Sequence, residues 1–412
     1  MDFIKKQANR SPIADNIFCV VRRAKEAKAT YGKDQVIDAT IGSLYDEEGN
    51  LVAYDTVFDI FDAIPKETKA RYAGSFKGND AFVKQIYEWV RQGSPLDMPH
   101  NVIATPGGTG AISMVLDNCM DEGQAVAIPE INWESYELIV KEDLLDCRTY
   151  AMFDGDHFNV DSFCQVCGKI MEEQNKLLVI VNDPCHNPTG YSMTDQEWDA
   201  VMAFLRECAK KGPVILVNDV AYMDYAADPV QARKYLHHFN NLPENLLVVI
   251  AFSCSKTMTA YGMRCGAALT LGKTQEQVNA VASIFEKTAR STWSNVNNAA
   301  METFSKLTTD RKADFLAEKE KFIELLQTRG RTFQKEAEEC GLPIYPFKEG
   351  FFLTVAVPDE YVERYHQALM DNNIFAVQVA HGIRVAICSL SVKQCTGLAK
   401  RMKDIYDQCV NG

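Results

Sequence analysis

Apolar residues along this chain come in two textures. Unbroken runs, "NVIAT" (101–105), "AVAIP" (125–129), "CRTYAMF" (147–153), "LLVIVND" (177–183), "VILVND" (214–219), "LLVVIAFS" (246–253) and "GAALTLG" (266–272), alternate with longer amphipathic stretches. Short runs that are largely apolar predict strands buried on both faces, and the longer rhythm between them predicts helices. The clearest helix is 195–210, where Thr194 and Glu197 make a T-x-x-E capping box and Gly212 closes the far end. Strands alternating with helices give an α/β fold, a mostly parallel sheet covered by helices. Ligands of such sheets gather at the carboxyl ends of the strands.

After about residue 300 the pattern changes to a charged helical stretch (310–340), then "FFLTVAV", "IFAVQV" and "GIRVAIC" with helices at 359–371 and 391–408. Three strands with flanking helices predict a smaller α+β unit. The expected division is a large domain over 51–305 and a small domain made of 1–50, including an N-terminal arm, with 306–412. A cleft between the two is the expected site.

Composition removes several function classes. The net charge is -13, from 43 Lys+Arg against 56 Asp+Glu with no basic block, which argues against nucleic acid and anionic membrane as partners. No run approaches the ~20 apolar residues of a membrane span. The stretch "MDFIKKQANRSPIADNIF" has no apolar signal core, so a cytosolic location is expected. The 13 cysteines are scattered and sit in apolar runs such as "RVAICSL", which fits reduced, buried thiols. Cys164 and Cys167 read C-x-x-C, yet no second ligand pair stands at zinc spacing, so they are read as helix-packing thiols and no metal site is expected.

Several polar groups fall at predicted strand ends. "TPGGTGAIS" (105–113) opens a helix after a strand and could hold a phosphate at the helix N-terminus, or be a structural turn. "VNDPCHNPTG" (181–190) offers the Asn187 amide to a ligand oxygen, and reads equally as an Asn-Pro turn. "VILVNDVAYMDY" ends a buried strand on Asp219, which needs either a cationic partner or a helix N-terminus to cap. In "SCSKTMTAYGMRCG" (253–266), Ser253, Ser255 and Arg264 form an anion site able to grip a phosphate beside Lys256. A lysine in a dry pocket near another cation has a lowered pKa and becomes the nucleophilic amine that a Schiff base requires. Pyridoxal 5'-phosphate carries both the aldehyde and the phosphate. Its protonated ring nitrogen would pair with Asp219, and its phenolate oxygen with Tyr222 and Asn187.

With these segments in order, the chain resembles a class I aminotransferase of the aspartate/aromatic aminotransferase family, fold type I of the pyridoxal-phosphate enzymes. "TPGGTGA", "CHNPTG", "DVAY" and "SxSK" with Arg264 carry the resemblance, with "IGSLYDEEGN" (41–50), "YAGSFKGNDAF" (72–82), "ARSTWSN" (289–295) and "GIRVAICSL" (382–390) in support. The resemblance implies that Lys256 forms the internal aldimine and shuttles the proton, that Asp219 holds the ring nitrogen protonated, and that Tyr222 and Asn187 bond the phenolate. It implies Trp133 stacking on the ring, and Gly108, Thr109, Ser253, Ser255 and Arg264 around the phosphate. Arg384, with Gly42 close by, matches the arginine that binds the substrate α-carboxylate. Arg290 matches the one that pairs with the distal carboxylate of aspartate and glutamate, although a solvated surface arginine is the alternative. Tyr72 matches a tyrosine that reaches the partner subunit's phosphate, so a homodimer is implied. The stretch from Asp224 to Asn245 is longer than the family pattern. An aspartate-type transaminase of amino acid metabolism is the reading favoured, with aromatic transamination, β-elimination or decarboxylation, or a non-enzymatic regulator as alternatives.

Overall fold

The computed structural model describes residues 3–4 and 16–411; the N-terminal arm expected within 1–50 falls partly outside them. In chain order the strands are β1 (Ile37–Ala39), β2 (His100–Thr105), β3 (Ala125–Pro129), β4 (Asp146–Tyr150), β5 (Phe153–Asp154), β6 (His157–Phe158), β7 (Leu177–Asn182), β8 (Val214–Asp219), β9 (Leu246–Ser253), β10 (Gly266–Leu271), β11 (Leu353–Ala356), β12 (Ile374–Val379) and β13 (Gly382–Val385). A seven-stranded sheet runs β2-β10-β9-β8-β7-β3-β4. It is parallel except for β10, which is antiparallel to both neighbours. A four-stranded sheet runs β1-β12-β13-β11.

Why the large-sheet strands are apolar throughout is visible in β7. Leu177, Val179 and Val181 enter one core while Leu178 and Ile180 enter a second on the opposite face. Successive side chains alternate across a strand, so a sheet covered on both faces needs apolar residues at both parities. Each such side chain is worth roughly 1.5–3 kcal/mol when fully buried.

Three expectations need correction. The run 147–153 is not one strand: after Tyr150 the chain leaves the sheet, its Ala151 and Met152 amides bonding Ser162 Oγ and Glu130 Oε1, before β5 pairs with β6. The C-terminal helix 391–408 is broken at Gly397, whose φ of 78° separates Val392–Cys395 from Leu398–Tyr406; this left-handed conformation is open to glycine. The small sheet has four strands, because β1 adds parallel to β12. The helix Asp195–Cys208 has the expected box, Thr194 Oγ1 accepting from Glu197 N and the Glu197 carboxylate from Thr194 N.

Candidate active site

Because its strands other than β10 are parallel, the large sheet delivers Thr105, Asn182, Asp219 and Ser253 to one edge at the ends of β2, β7, β8 and β9. A cavity of about 230 Å³ opens there, lined by Gly108, Thr109, Trp133, Asn187, Asp219, Tyr222, Ser253, Ser255, Lys256 and Arg264 among others. All ten were singled out by the sequence.

One end of the cavity is built for an anion. The helix Gly107–Cys119 starts there, presenting unpaired backbone N–H groups. Arg264 donates to Ser255 Oγ (3.0 Å) and to the carbonyls of Tyr261 (3.1 Å) and Pro106 (3.3 Å). These are neutral acceptors, so the guanidinium keeps its charge for a ligand. The cup is tight at Gly107, where a Cβ would lie 2.7 Å from Arg264 Nη2, and at Gly266, where one would lie 2.4 Å from the Phe252 carbonyl.

The opposite end is built for a cation. Asp219, 5% exposed, accepts from the Tyr136 hydroxyl at 2.6 Å and from Ala221 N at 3.0 Å, and among the described residues no basic side chain pairs with it. Burial pushes its carboxyl up, and those two bonds pull it back. A buried carboxylate with room for one more partner fits a protonated ring nitrogen.

Between the two ends stands Lys256. Its Nζ donates to the Gly42 carbonyl at 2.8 Å and lies 4.6 Å from the centre of the Tyr261 ring and 5.5 Å from that of Tyr222. Burial, with Arg384 and Arg264 adding to it, pushes the amine down to about 8. Tyr222 stands edge-on to Phe351 and Phe352, and burial raises its phenol. Trp133 packs edge-on to Tyr136 at 5.4 Å.

Arg384 approaches from β13. It is 6% exposed, with Nη2 bonded to the Thr40 carbonyl (2.9 Å), Nη1 to Asn187 Oδ1 (3.3 Å) and Nε without a partner. A buried guanidinium held by neutral oxygens alone is costly until a carboxylate reaches it. Since Asn187 spends its oxygen on Arg384, its Nδ2 remains as the donor for a ligand.

Gly42 is placed by a segment that crosses the site. Along it, Thr40 meets Arg384, Gly42 meets Lys256, the Leu44 amide donates to Tyr261 Oη (2.9 Å), and Glu47 pairs with the buried Arg329 (2.7 Å). A Cβ on Gly42 would meet the Phe352 ring at 2.7 Å. The structure does not bring Tyr72 and Arg290 to the cavity of the single chain. Tyr72 is 81% exposed, and Arg290 donates to Ser294 Oγ (2.6 Å) with its guanidinium 4.8 Å from the Phe76 ring centre.

The sequence reading missed Tyr136, Tyr261 and Asn182. Tyr136 follows Trp133 by three residues and Tyr261 lies inside the lysine motif, so their neighbours carried the available signal. It also missed a buried charge cluster behind Lys256. Asp224 accepts from Thr257 Oγ1 (2.6 Å) and Trp89 Nε1 (3.0 Å), pairs closely with Arg233, and lies 3.5 Å from Lys319 Nζ. Burial alone would raise the Asp224 carboxyl, but Lys319 and Arg233 hold it well below the usual range. Tyr225, hydrogen-bonded to Tyr54, donates to the Lys256 carbonyl at 2.9 Å. These bonds fix the turn that carries the lysine.

An anion cup, a lowered lysine amine and a buried carboxylate line one cavity, and the residues present fit pyridoxal phosphate. Residues 36–402 match the aminotransferase class I and II family, and the chain belongs to it. It is a pyridoxal-phosphate-dependent aminotransferase. The aspartate aminotransferase of Salmonella typhi is 26% identical over 285 residues, covering 65% of this chain and 70% of the relative. The aromatic-amino-acid aminotransferase of Escherichia coli K12 is 23% identical over 308 residues, covering 72% and 74%. The crystal structure of an aminotransferase from Anaerococcus prevotii superposes with a TM-score of 0.96 at 32% identity, over 99% of this chain and 100% of that one.

Proposed function

We propose that this enzyme moves the amino group of an acidic L-amino acid, aspartate or glutamate, to a 2-oxo acid such as 2-oxoglutarate, by ping-pong kinetics in which both half-reactions use the same site. The observation that carries transfer from an α-amino acid is Arg384, a buried guanidinium with an unpartnered Nε beside the lowered amine of Lys256, and the acidic preference rests on Arg290. Arg384 forks onto the substrate α-carboxylate and sets the α-carbon in reach of Lys256. Lys256 is the residue that holds the cofactor covalently. Freed by substrate, its Nζ takes the proton from the α-carbon and returns one on the far side of the transfer. The cofactor, when bound, supplies the electron sink for that proton removal. Asp219, tuned by Tyr136, holds the proton on the ring nitrogen, and Tyr222 with Asn187 Nδ2 holds the phenolate oxygen. The helix at Gly107, Gly108, Thr109, Ser253, Ser255 and Arg264 holds the phosphate, and Trp133 covers one ring face.

In this reading Arg290 pairs with the distal carboxylate, and it does so across a homodimer interface, with Tyr72 reaching the partner's phosphate cup. The exposure of both in the single chain supports that arrangement. The domain division at 51–305 against 1–50 with 306–412 belongs to the same proposal. The Tyr261 ring, which lines the cavity and is not assigned to the cofactor, supports a second reading, transfer from phenylalanine or tyrosine.

The deciding experiment is the half-reaction spectrum of the cofactor-loaded enzyme with each amino acid in turn. Aspartate and glutamate should convert the bound cofactor fastest, with an oxo-acid as product and neither ammonia nor CO2 released. Faster conversion by tyrosine or phenylalanine selects the second reading, and release of ammonia or CO2 overturns both.

A further inference from the structure

The long stretch between β8 and β9 folds as two 3-10 turns, Met223–Tyr225 and Gln231–Phe239, the second packed against the helix Asp195–Cys208. This packing brings neighbouring imidazoles onto the first turn of that helix. His238 Nε2 lies 3.0 Å from Asp195 Oδ1, and His237 Nδ1 lies 3.7 Å from the same oxygen. The two rings are 3.8 Å apart, centre to centre. One donor atom from each of Asp195, His237 and His238 falls within 4.8 Å of the others.

We propose that Asp195, His237 and His238 form a binding site for a borderline divalent transition metal, zinc being the ion that fits best, and that the metal fastens the 224–245 stretch to the helix. Zinc bonds of about 2.0–2.2 Å arranged tetrahedrally put neighbouring donor atoms about 3.4 Å apart, which is the scale of the separations here. The nitrogen of His237 that faces Asp195 is Nδ1, which the metal would take over from its present hydrogen-bond partner, the Lys234 carbonyl at 2.7 Å. Asp199 Oδ1 lies 3.7 Å from His238 Nδ1, on the opposite side of the ring from Asp195. Ligating histidines characteristically give their second ring N–H to a carbonyl or carboxylate, which orients the ring and raises its basicity. Asp195 is 63% exposed on its side chain, so water completes the coordination from the open side. Imidazole donors select against magnesium and calcium, which take oxygen ligands.

None of the three ligands lines the catalytic cavity, and the proposal does not rest on the substrate reading. The same 3-10 turn carries Arg233, whose partner Asp224 accepts from Thr257 beside Lys256. A metal holding this turn therefore steadies a segment that leads to the lysine.

The test is titration of chelator-treated, cofactor-loaded enzyme with Zn2+ by calorimetry, alongside thermal unfolding. One saturable site per chain is expected, with a rise in Tm on zinc addition that Mg2+ and Ca2+ do not reproduce. His237→Gln and His238→Gln should each weaken zinc at least tenfold and abolish the rise in Tm, while keeping the metal-free Tm of the parent. Absence of a saturable site overturns the proposal, as does zinc affinity within tenfold of the parent in both variants. The latter result would assign any binding to thiols or to the cofactor.

Discussion

The amine of Lys256 donates a 2.8 Å hydrogen bond to the carbonyl of Gly42, a residue 214 positions earlier in the chain. That contact joins the lysine motif to the segment that also meets Arg384 through Thr40. Among the described residues it gives the amine one neutral acceptor and no carboxylate, so the charged form gains little from its surroundings. Burial then decides its protonation.

From that follows a pH dependence. The neutral amine is the nucleophile, and its fraction rises as pH passes the lowered value of about 8. The rate at which cofactor-free enzyme takes up pyridoxal 5'-phosphate should therefore climb with a midpoint near 8, read by stopped-flow absorbance. A midpoint near an ordinary lysine's 10.5 contradicts the assignment. Lys256→Ala should lower turnover by at least ~10²–10⁴-fold, the range of a lost general acid–base group.

Asp219 and Tyr136 should separate in their effects. Asp219→Ala leaves the cofactor able to bind and slow to react, because an unprotonated ring accepts electrons poorly, and Asp219→Glu keeps more of the rate. Tyr136→Phe removes a hydrogen bond that lowers the Asp219 pKa. The acid limb of the kcat profile should then move to higher pH, since the carboxyl takes up its proton sooner. An unmoved limb would mean that Tyr136 packs and does not tune.

The charge cluster makes a stability prediction with a sign. Asp224→Asn strands Arg233 and Lys319 in the interior and should cost ~3–5 kcal/mol in urea unfolding, whereas Lys319→Met places an apolar chain among Trp89, Tyr225 and Phe315 and should cost far less. Burial lowers Lys319 to about 8 against the pull of Asp224. Between the lowered folded value and the unfolded lysine value the unfolded chain binds more protons, so stability rises with pH there. Lys319→Met should remove that rise, and retention of the full slope would place it on other groups.

Specificity is read through two arginines. Arg384→Ala should hurt every amino acid substrate. Arg290→Ala should lower kcat/KM for aspartate and glutamate by about ten- to two-hundredfold, the scale of a lost charged hydrogen bond of ~1.5–3 kcal/mol, and spare phenylalanine and tyrosine. Equal losses for acidic and aromatic substrates would assign Arg290 to folding or assembly.

By itself the sequence determined the groups whose position follows from local rules. Asp219, Ser253 and Lys256 stand at or just past the ends of apolar strands, and a parallel sheet carries such ends to one edge whatever else the chain does. The capping box at Thr194 and the strands β3, β8, β9 and β12 were legible for the same reason: a pattern of four to eight residues contains the whole signal. Tertiary structure decided the rest. The Tyr136 bond to Asp219 spans 83 positions, the Lys256 bond to Gly42 spans 214 and the Arg384 bond to Thr40 spans 344. A side chain's partner at such separations is chosen by how helices and sheets pack, and no periodicity along the chain encodes it. The same holds for Asp195 with His237 and His238, and for β1, three residues long, which becomes a strand only because β12 is there to pair with it.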